Sequence, residues 1–335
     1  MAANDVANTL ASYKLVGTRV ALVGSISATP TALEWELLNT NFKEVWPHDN
    51  KALVHHGFTA SGKAVRATNS IQLGRAEPAI SVTGPLTPLA LAILMQSLWQ
   101  HEGWDSVDSY DMLPYNTHAK SIADMFLHIE GGIAGASSAG AVYKMKGGVV
   151  SSLEINLPPV DAERGRATFT AQIMGASSSR TNAFTSTSGM TVDDTTPIFT
   201  SQHALSIDST VVTMVSLRLN MTNNLAKGIN AGETPTYMAL GELAATGEVS
   251  FTMKNQASDD WEDMIDAFEA GTVKEILWSV GATYNMAFDA RIGAPRFAEQ
   301  ANVIVVTLPF EAVYVDDTRP SASVNFASDR LNWSS

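Results

Sequence analysis

The 335-residue chain contains no cysteine, which excludes disulfide frameworks, thiolate nucleophiles, zinc–thiolate sites and iron–sulfur clusters. Charge is scarce as well: Asp, Glu, Lys and Arg make up 16% of the residues, against roughly 25% in an average soluble domain. Solvated surface normally carries those charges, so their scarcity points to a polar but neutral surface, or to surface hidden against other subunits. Long hydrophobic runs are missing too. The longest, Leu89 to Met95, falls far short of the roughly 20 residues that span a bilayer. Met1-Ala-Ala-Asn-Asp5 carries an acid where a secretory signal needs basic residues. Neither a membrane span nor a signal peptide is expected. Finally, there is no basic surplus: the net charge of −13 argues against a chain that grips nucleic-acid phosphates.

What is present is alternation. Leu217, Leu219 and Met221 alternate with Ser216, Arg218, Asn220 and Thr222, the period-2 signature of a half-buried strand. The pattern recurs at Val249/Phe251/Met253, Leu153/Ile155/Leu157, Phe169/Ala171/Ile173 and Met286/Phe288/Ala290/Ile292. An antiparallel sheet with one wet face fits best. Helical spacing occurs twice. Thr87 is placed to cap and Pro88 to take the first helical position, followed by a stripe of Leu91, Leu94, Met95 and Leu98. Ser258 caps the second helix, Asp259, Asp260 and Glu262 load its first turn, and Trp261, Met264, Ile265 and Phe268 form the stripe before Gly271 ends it.

The two stripes lie 170 residues apart, which suggests an internal repeat. Ile80-Ser-Val-Thr83 and Val249-Ser-Phe-Thr252 precede the helices, and Leu73-Gly74 and Leu240-Gly241 lie further upstream. Beyond the helices, Leu153–Pro158 matches Asp289–Pro295 and Thr168–Ile173 matches Ile304–Pro309 at a shorter offset. At roughly 150 residues per domain the length also suggests two units. The expectation is a mainly β chain of two tandem antiparallel β-sandwich or barrel domains, each with one flanking helix. The first spans 1–176 with an inserted surface segment at about 100–144, the polar stretch 177–200 is a linker, and the second spans 201–335.

No constellation of catalytic groups emerges. Gly57 to Ala64 resembles a phosphate-binding loop, but Ala64 stands where a magnesium-binding hydroxyl is required and the following residues do not start a helix; an ordinary turn is expected. Gly131 to Gly140 lacks dinucleotide-binding spacing and reads as a flexible loop. His48, Asp49, His55 and His56 are the one dense group of potential metal ligands, without spacing that would converge three of them. The acids around Asp260 suit a helix N-terminus, and Asp316/Asp317 suit a turn before Pro320. No enzyme, cofactor or metal site is expected.

The ordered pieces do resemble one family, the major tail tube proteins of bacteriophages with long, flexible, non-contractile tails. The resemblance lies in Val212 to Asn224, Gly241 to Met253, the helix Asp259 to Gly271 with the strands after it, and the last strand Val303 to Tyr314. It implies a structural virion protein, assembled in the host cytoplasm, whose domains pair sheet edges into rings that stack into a hollow tail tube for DNA. A duplicated chain implies homotrimeric, pseudo-hexameric rings. Implied partners are further copies of the chain, a tape measure protein and tail terminator and tip proteins, with transient, non-specific passage of DNA and no membrane. Acids facing the lumen would repel DNA phosphates. Two long connections are candidates for contact with the next ring: Asn223 to Met238, with Lys227, Asn230 and Glu233, and Trp46 to Asn69, with Lys51, His55 and Lys63. The alternative is a β-sandwich receptor-binding or adhesin module of a virion or cell surface, which would present exposed aromatic residues at one end.

Overall fold

Leu153, Ile155 and Leu157 are sealed in the core of the computed structural model while Ser152, Glu154 and Asn156 reach solvent. The same alternation buries Phe169/Ala171/Ile173, Leu217/Leu219/Met221, Val249/Phe251 and Met286/Phe288/Ala290/Ile292 in one continuous apolar cluster, as the period of a strand requires. The structure describes residues 13–23, 30, 35–38, 41–46, 52–58, 64–73, 78–99, 110–112, 126–135, 141–160, 165–181, 191–192, 198, 203–228, 237–239, 244–253, 260–280, 284–300, 303–313 and 322–326.

The first half supplies β1 (Tyr13–Val23), β2 (Trp35–Leu38), β3 (Asn41–Trp46), β4 (Ala52–Phe58), β5 (Ala64–Leu73), β6 (Ala79–Pro85) and helix α1 (Pro88–Trp99). It continues with β7 (Tyr110–Met112), β8 (Phe126–Gly135), β9 (Ala141–Leu157), β10 (Thr168–Met174), β11 (Ser177–Thr181) and the short β12 (Thr191–Val192). The second half supplies β13 (His203–Ile207), β14 (Thr210–Thr222), β15 (Ala226–Gly228), β16 (Tyr237–Ala239), β17 (Ala244–Thr252) and helix α2 (Asp260–Ala270). It ends with β18 (Val273–Val280), β19 (Tyr284–Ile292), β20 (Arg296–Gln300), β21 (Val303–Ala312) and β22 (Ala322–Phe326). The fold is mainly β, with a six-stranded barrel and further strands.

Each half runs through the same circuit of antiparallel pairings. In the second, β13 pairs with β14, β14 with β17, β17 with β21, β21 with β19, β19 with β18 and β18 with β13, which closes a barrel without a free edge. In the first, β1 pairs with β2, β3 with β6, β6 with β10, β10 with β9, β9 with β8 and β8 with β1. Thus β2 and β3 stand where the second half has β14, and the 17-residue β9 stands where it has β19 and β20. This overturns the expected matches beyond the helices. Leu153, opposite Ala171, corresponds to Phe297, opposite Val306, and not to Asp289. Ile304 corresponds to Phe169 and not to Thr168, because backbone pairing fixes a register that the similar apolar spacing left ambiguous. Even the irregularities correspond. The register slips between Phe42 and Glu44 opposite β6, and between Met214 and Ser216 opposite β17.

The halves are joined by a ladder. Leu217 to Thr222 of β14 pair with Leu157 to Ser152 of β9. A single antiparallel sheet therefore runs through the chain in the order β3, β6, β10, β9, β14, β17, β21, β20. A second link joins β7 to β22.

Three stretches differ from the sequence reading. Within the expected linker, Ser177–Thr181 is a strand beside β9, and Ile198 is buried, its backbone bonded to Leu86 and Ala167. The polar sequence of 177–181 hid the strand, because backbone pairing needs no apolar pattern, and a single buried Ile carries no period. Within the stretch expected to be an inserted surface segment, Phe126–Gly135 is a barrel strand between β1 and β9, so the extra chain lies between Trp99 and Phe126. Gly131 to Gly135 accordingly belongs to a paired strand and not to a flexible loop. Glycine lowers strand propensity, yet neighbours on both sides hold the backbone in place.

Two of the expected helix caps are in place, Ser258 and Asp259 lie outside the described residues, and the packing differs from expectation. Thr87 Oγ1 accepts the Ala90 amide at 3.1 Å. At the end of α2, Gly271 takes φ +65°, with its N–H on Phe268 O and that of Thr272 on Ala267 O, the paired bonds of a glycine C-terminal cap. However, α1 has no wet face: Leu89 through Trp99 are all buried. Its sequence is apolar almost all round, the mark of a helix enclosed on every side. α2 is two-sided, and Phe268, expected in its buried stripe, is 41% exposed.

One core contact is sensitive to pH. Trp278 Nε1 donates to His203 Nδ1 at 2.5 Å and the rings stack with centroids 5.3 Å apart. Burial lowers the His203 pKa from 6.5 to about 4, so the unfolded chain binds more protons than the folded one between those values. Stability is full above about pH 6.5 and falls as the pH drops toward 4. Denaturant titration at pH 7 and pH 5 is expected to show a loss of about 2 kcal/mol that His203→Gln largely removes.

Candidate assembly surface

One face of the chain-wide sheet is built from the outward residues of its alternating strands. It presents Ser81 and Gln172, Ser152, Glu154 and Asn156, Arg218 and Asn220, and Glu248, Ser250 and Thr307. Neutral hydrogen bonds knit it: Gln172 Nε2 donates to Ser81 Oγ at 3.0 Å, Ser151 Oγ donates to Gln172 O at 3.1 Å, and the Ser250 and Thr307 hydroxyls share a bond of 2.9 Å. Its guanidinium groups are paired, Arg218 with Glu154 at 2.8 Å and Arg296 with Glu248. Such exposed pairs add little stability. Their consequence is electrostatic, since each arginine already has a carboxylate partner.

Behind that face, the β9–β14 junction is held by more than its ladder. Asn223 follows β14 and is buried. Its side-chain amide donates to Leu98 O at 3.0 Å and to Val150 O at 2.6 Å, and its backbone N–H donates to Ser151 O. A residue of the second half thus satisfies a carbonyl at the C-terminal end of α1, where helices leave carbonyls without intrahelical partners. It also ties that end to β9.

Two hairpins project from equivalent places, β4–β5 between β3 and β6, and β15–β16 between β14 and β17. Of the residues singled out for contact with another ring, His55 lies in β4 at a register slip, and Lys227 lies in β15 opposite Met238. Lys51 and Lys63 directly precede β4 and β5 but, with Asn230 and Glu233, lie outside the described residues. The sequence reading marked both stretches as long connections; that each carries a pair of strands was not anticipated. The sheet edges themselves had no signal in the side chains. The stretch Gly57 to Ala64 begins in β4 and ends in β5, a strand-to-strand connection and not the strand-to-helix turn of a phosphate-binding loop. Of the potential metal ligands, His55 and His56 lie in β4, while His48 and Asp49 are outside the described residues. No metal-holding cluster occurs among the described residues. Trp99 and Trp278 are buried in the core, so neither supplies the exposed aromatic surface that a receptor-binding module requires.

Comparison with known proteins gives one family: a family model described as phage tail tube protein matches residues 62–312, most of the chain. No curated protein matches. Among solved structures, a chain of the virion of a native gene transfer agent particle is similar at 13% identity and a TM-score of 0.29, over 34% of this chain and 93% of that one.

The junction makes a specific demand on Asn223. Asn223→Ala leaves the buried Leu98 and Val150 carbonyls without this donor and is expected to cost about 2 kcal/mol or more. In urea titrations the midpoint should fall with little change in slope. An unchanged midpoint would mean that the ladder alone holds the halves together.

Proposed function

The chain belongs to the phage tail tube protein family, and on that premise we propose that its copies close into rings that stack into the hollow tube of a long, flexible, non-contractile tail. As a tail tube protein it has a structural role in the virion. The observation that carries the proposal is the sheet that runs through both halves and whose end strands, β3 and β20, each pair on one side only among the described residues. Open edges invite pairing with another chain, and a closed ring leaves none.

The repeated circuit of pairings supports a duplicated tail tube domain over 1–176 and 201–335, with three chains forming a pseudo-hexameric ring. In this reading the polar face of the sheet lines the lumen and DNA passes along it during genome ejection. Paired arginines suit that task. Glu154 and Glu248 occupy Arg218 and Arg296, and hydroxyl and amide groups fill the face between them, so phosphates meet no unopposed cation among these residues. The acid surplus of the chain is therefore not concentrated in the described part of this face; its neutrality, not strong repulsion, lets DNA slide. The hairpins β4–β5 and β15–β16, with Lys51, His55, Lys63, Lys227, Asn230 and Glu233, reach the adjacent ring. Tape measure and terminator or tip proteins meet the tube inside and at its ends, and assembly takes place in the host cytoplasm.

Electron microscopy of the purified protein tests the reading: hollow tubes with a regular ring repeat are expected, and discrete monomers at all concentrations and salts contradict it. Deleting Ala226–Thr234 should leave a folded, soluble subunit that forms rings but no tubes. Tubes of normal length would remove the hairpin from the stacking contact. Replacing both Glu154 and Glu248 by Lys should make assembled tubes retain DNA in a salt-dependent way, whereas tubes that bind no more DNA than the parent would show that this face is not the lumen.

A further inference from the structure

Strand pairing joins the two halves along two lines. The first is the β9–β14 ladder of the chain-wide sheet, with Asn223 at its end. The second lies elsewhere. β7 belongs to the extra chain of the first half and lies against α1. Its Met112, Asp111 and Tyr110 pair with Val324, Asn325 and Phe326 of β22. On its other edge β22 pairs with Tyr284 to Phe288 of β19, continuing the edge on which β21 pairs with Ala290 to Ile292. β19 is a strand of the second barrel, and β18 fills its opposite edge. α1, β7, β22 and β19 therefore bridge the first half to the second barrel without using any strand of the chain-wide sheet.

The bridge has no equivalent that starts from the second half. There α2 ends at Ala270 and β18 begins at Val273, so only Gly271 and Thr272 stand where the first half has residues 100–125. That connection is too short to supply a counterpart of β7. The first barrel also lacks a counterpart on the receiving side, for β11 takes the edge of β9 and pairs with β9 alone among the described residues. The second line of pairing is thus a property of the contact within one chain.

A single ladder joins two bodies as a hinge does. Neighbouring strands in ordinary sheets differ in twist over a range of about 25°, whereas rings of six and of seven positions differ by only about 9° per position. One ladder therefore does not select a ring by itself. A second line of contact off the axis of the first removes that freedom, because turning about the β9–β14 ladder would pull β7 from β22. We infer that β7 and β22 form a clasp that fixes the angle between the two halves and so sets the curvature of the ring. This rests on the ring reading above and names the element that governs its size. Clasped junctions inside chains alternate with unclasped ones between chains, and the angle held inside each chain limits how many positions close.

Deleting Tyr110–Met112 opens the clasp and leaves β22 on β19. Electron micrographs of this variant are expected to show tubes or open arcs whose diameters scatter about twofold or more as widely as those of wild-type tubes. Variant tubes of wild-type diameter and symmetry would overturn the clasp and leave the ring reading intact; wild-type protein that never forms tubes would remove that reading instead. Should the deletion variant not fold or not assemble, a point change in the ladder decides. Asn325→Asp sets a carboxylate opposite Asp111, and like charges directly opposite loosen a strand pair. At low salt its tubes should scatter in diameter more widely than wild-type tubes. The scatter should shrink at high salt and vanish in Asp111→Asn/Asn325→Asp, which keeps a single carboxylate. Asn325→Asp tubes as uniform as the wild type at low salt would overturn the clasp.

Discussion

A sheet edge is a row of backbone donors and acceptors that must find partners, and the arrangement of this chain follows from how its edges are used. Each half folds a four-stranded portion, β3-β6-β10-β9 in one and β14-β17-β21-β20 in the other. The ladder from Leu217 to Thr222 removes one edge from each. Across that contact Asn223 reaches the end of α1, and the apolar core runs unbroken through both halves. Among the described residues, one strand at each end of the sheet, β3 and β20, then pairs on one side only.

The scarcity of charge has a matching explanation. The outer face of the sheet is hydrated through Ser, Thr, Asn and Gln instead of charged side chains, and its two arginines are neutralised by glutamates. Deeper in the first barrel, Glu130 is buried and bonded to Lys144 at 2.9 Å. Losing one partner of such a pair is far more costly than losing an exposed one. Charges are thus few, and several are placed where they cancel.

The legible part of the fold was the part encoded in side-chain period. Leu153/Ile155/Leu157 and Met286/Phe288/Ala290/Ile292 declared their strands by alternation, and Thr87 and Gly271 declared helix ends by chemistry that recurs at caps. The repeat was visible at Ile80 and Val249, and strand pairing places these residues at equivalent positions in β6 and β17, opposite Ile173 and Leu308. Strands made of serine or glycine were not legible. Ser177–Thr181 and Gly131–Gly135 are held by backbone bonds to neighbours that sequence alone does not place. The stripe reading of α1 missed that its remaining faces are apolar too: every residue from Leu89 to Trp99 is buried. The candidate surface shared this limit. Its two projecting stretches were marked by their length alone and their strand pairing was not, and its edges carry no side-chain signal at all.

The central claim is that one chain spans two positions in the wall of a tube and that copies continue that wall through the same kind of strand pairing. A cryo-electron microscopy reconstruction of the assembled tube tests it most directly. The account predicts three chains per ring and an uninterrupted antiparallel wall in which each chain contributes the eight strands from β3 to β20. Rings of six chains, or a wall in which β3 and β20 of neighbouring copies lie apart, would contradict it.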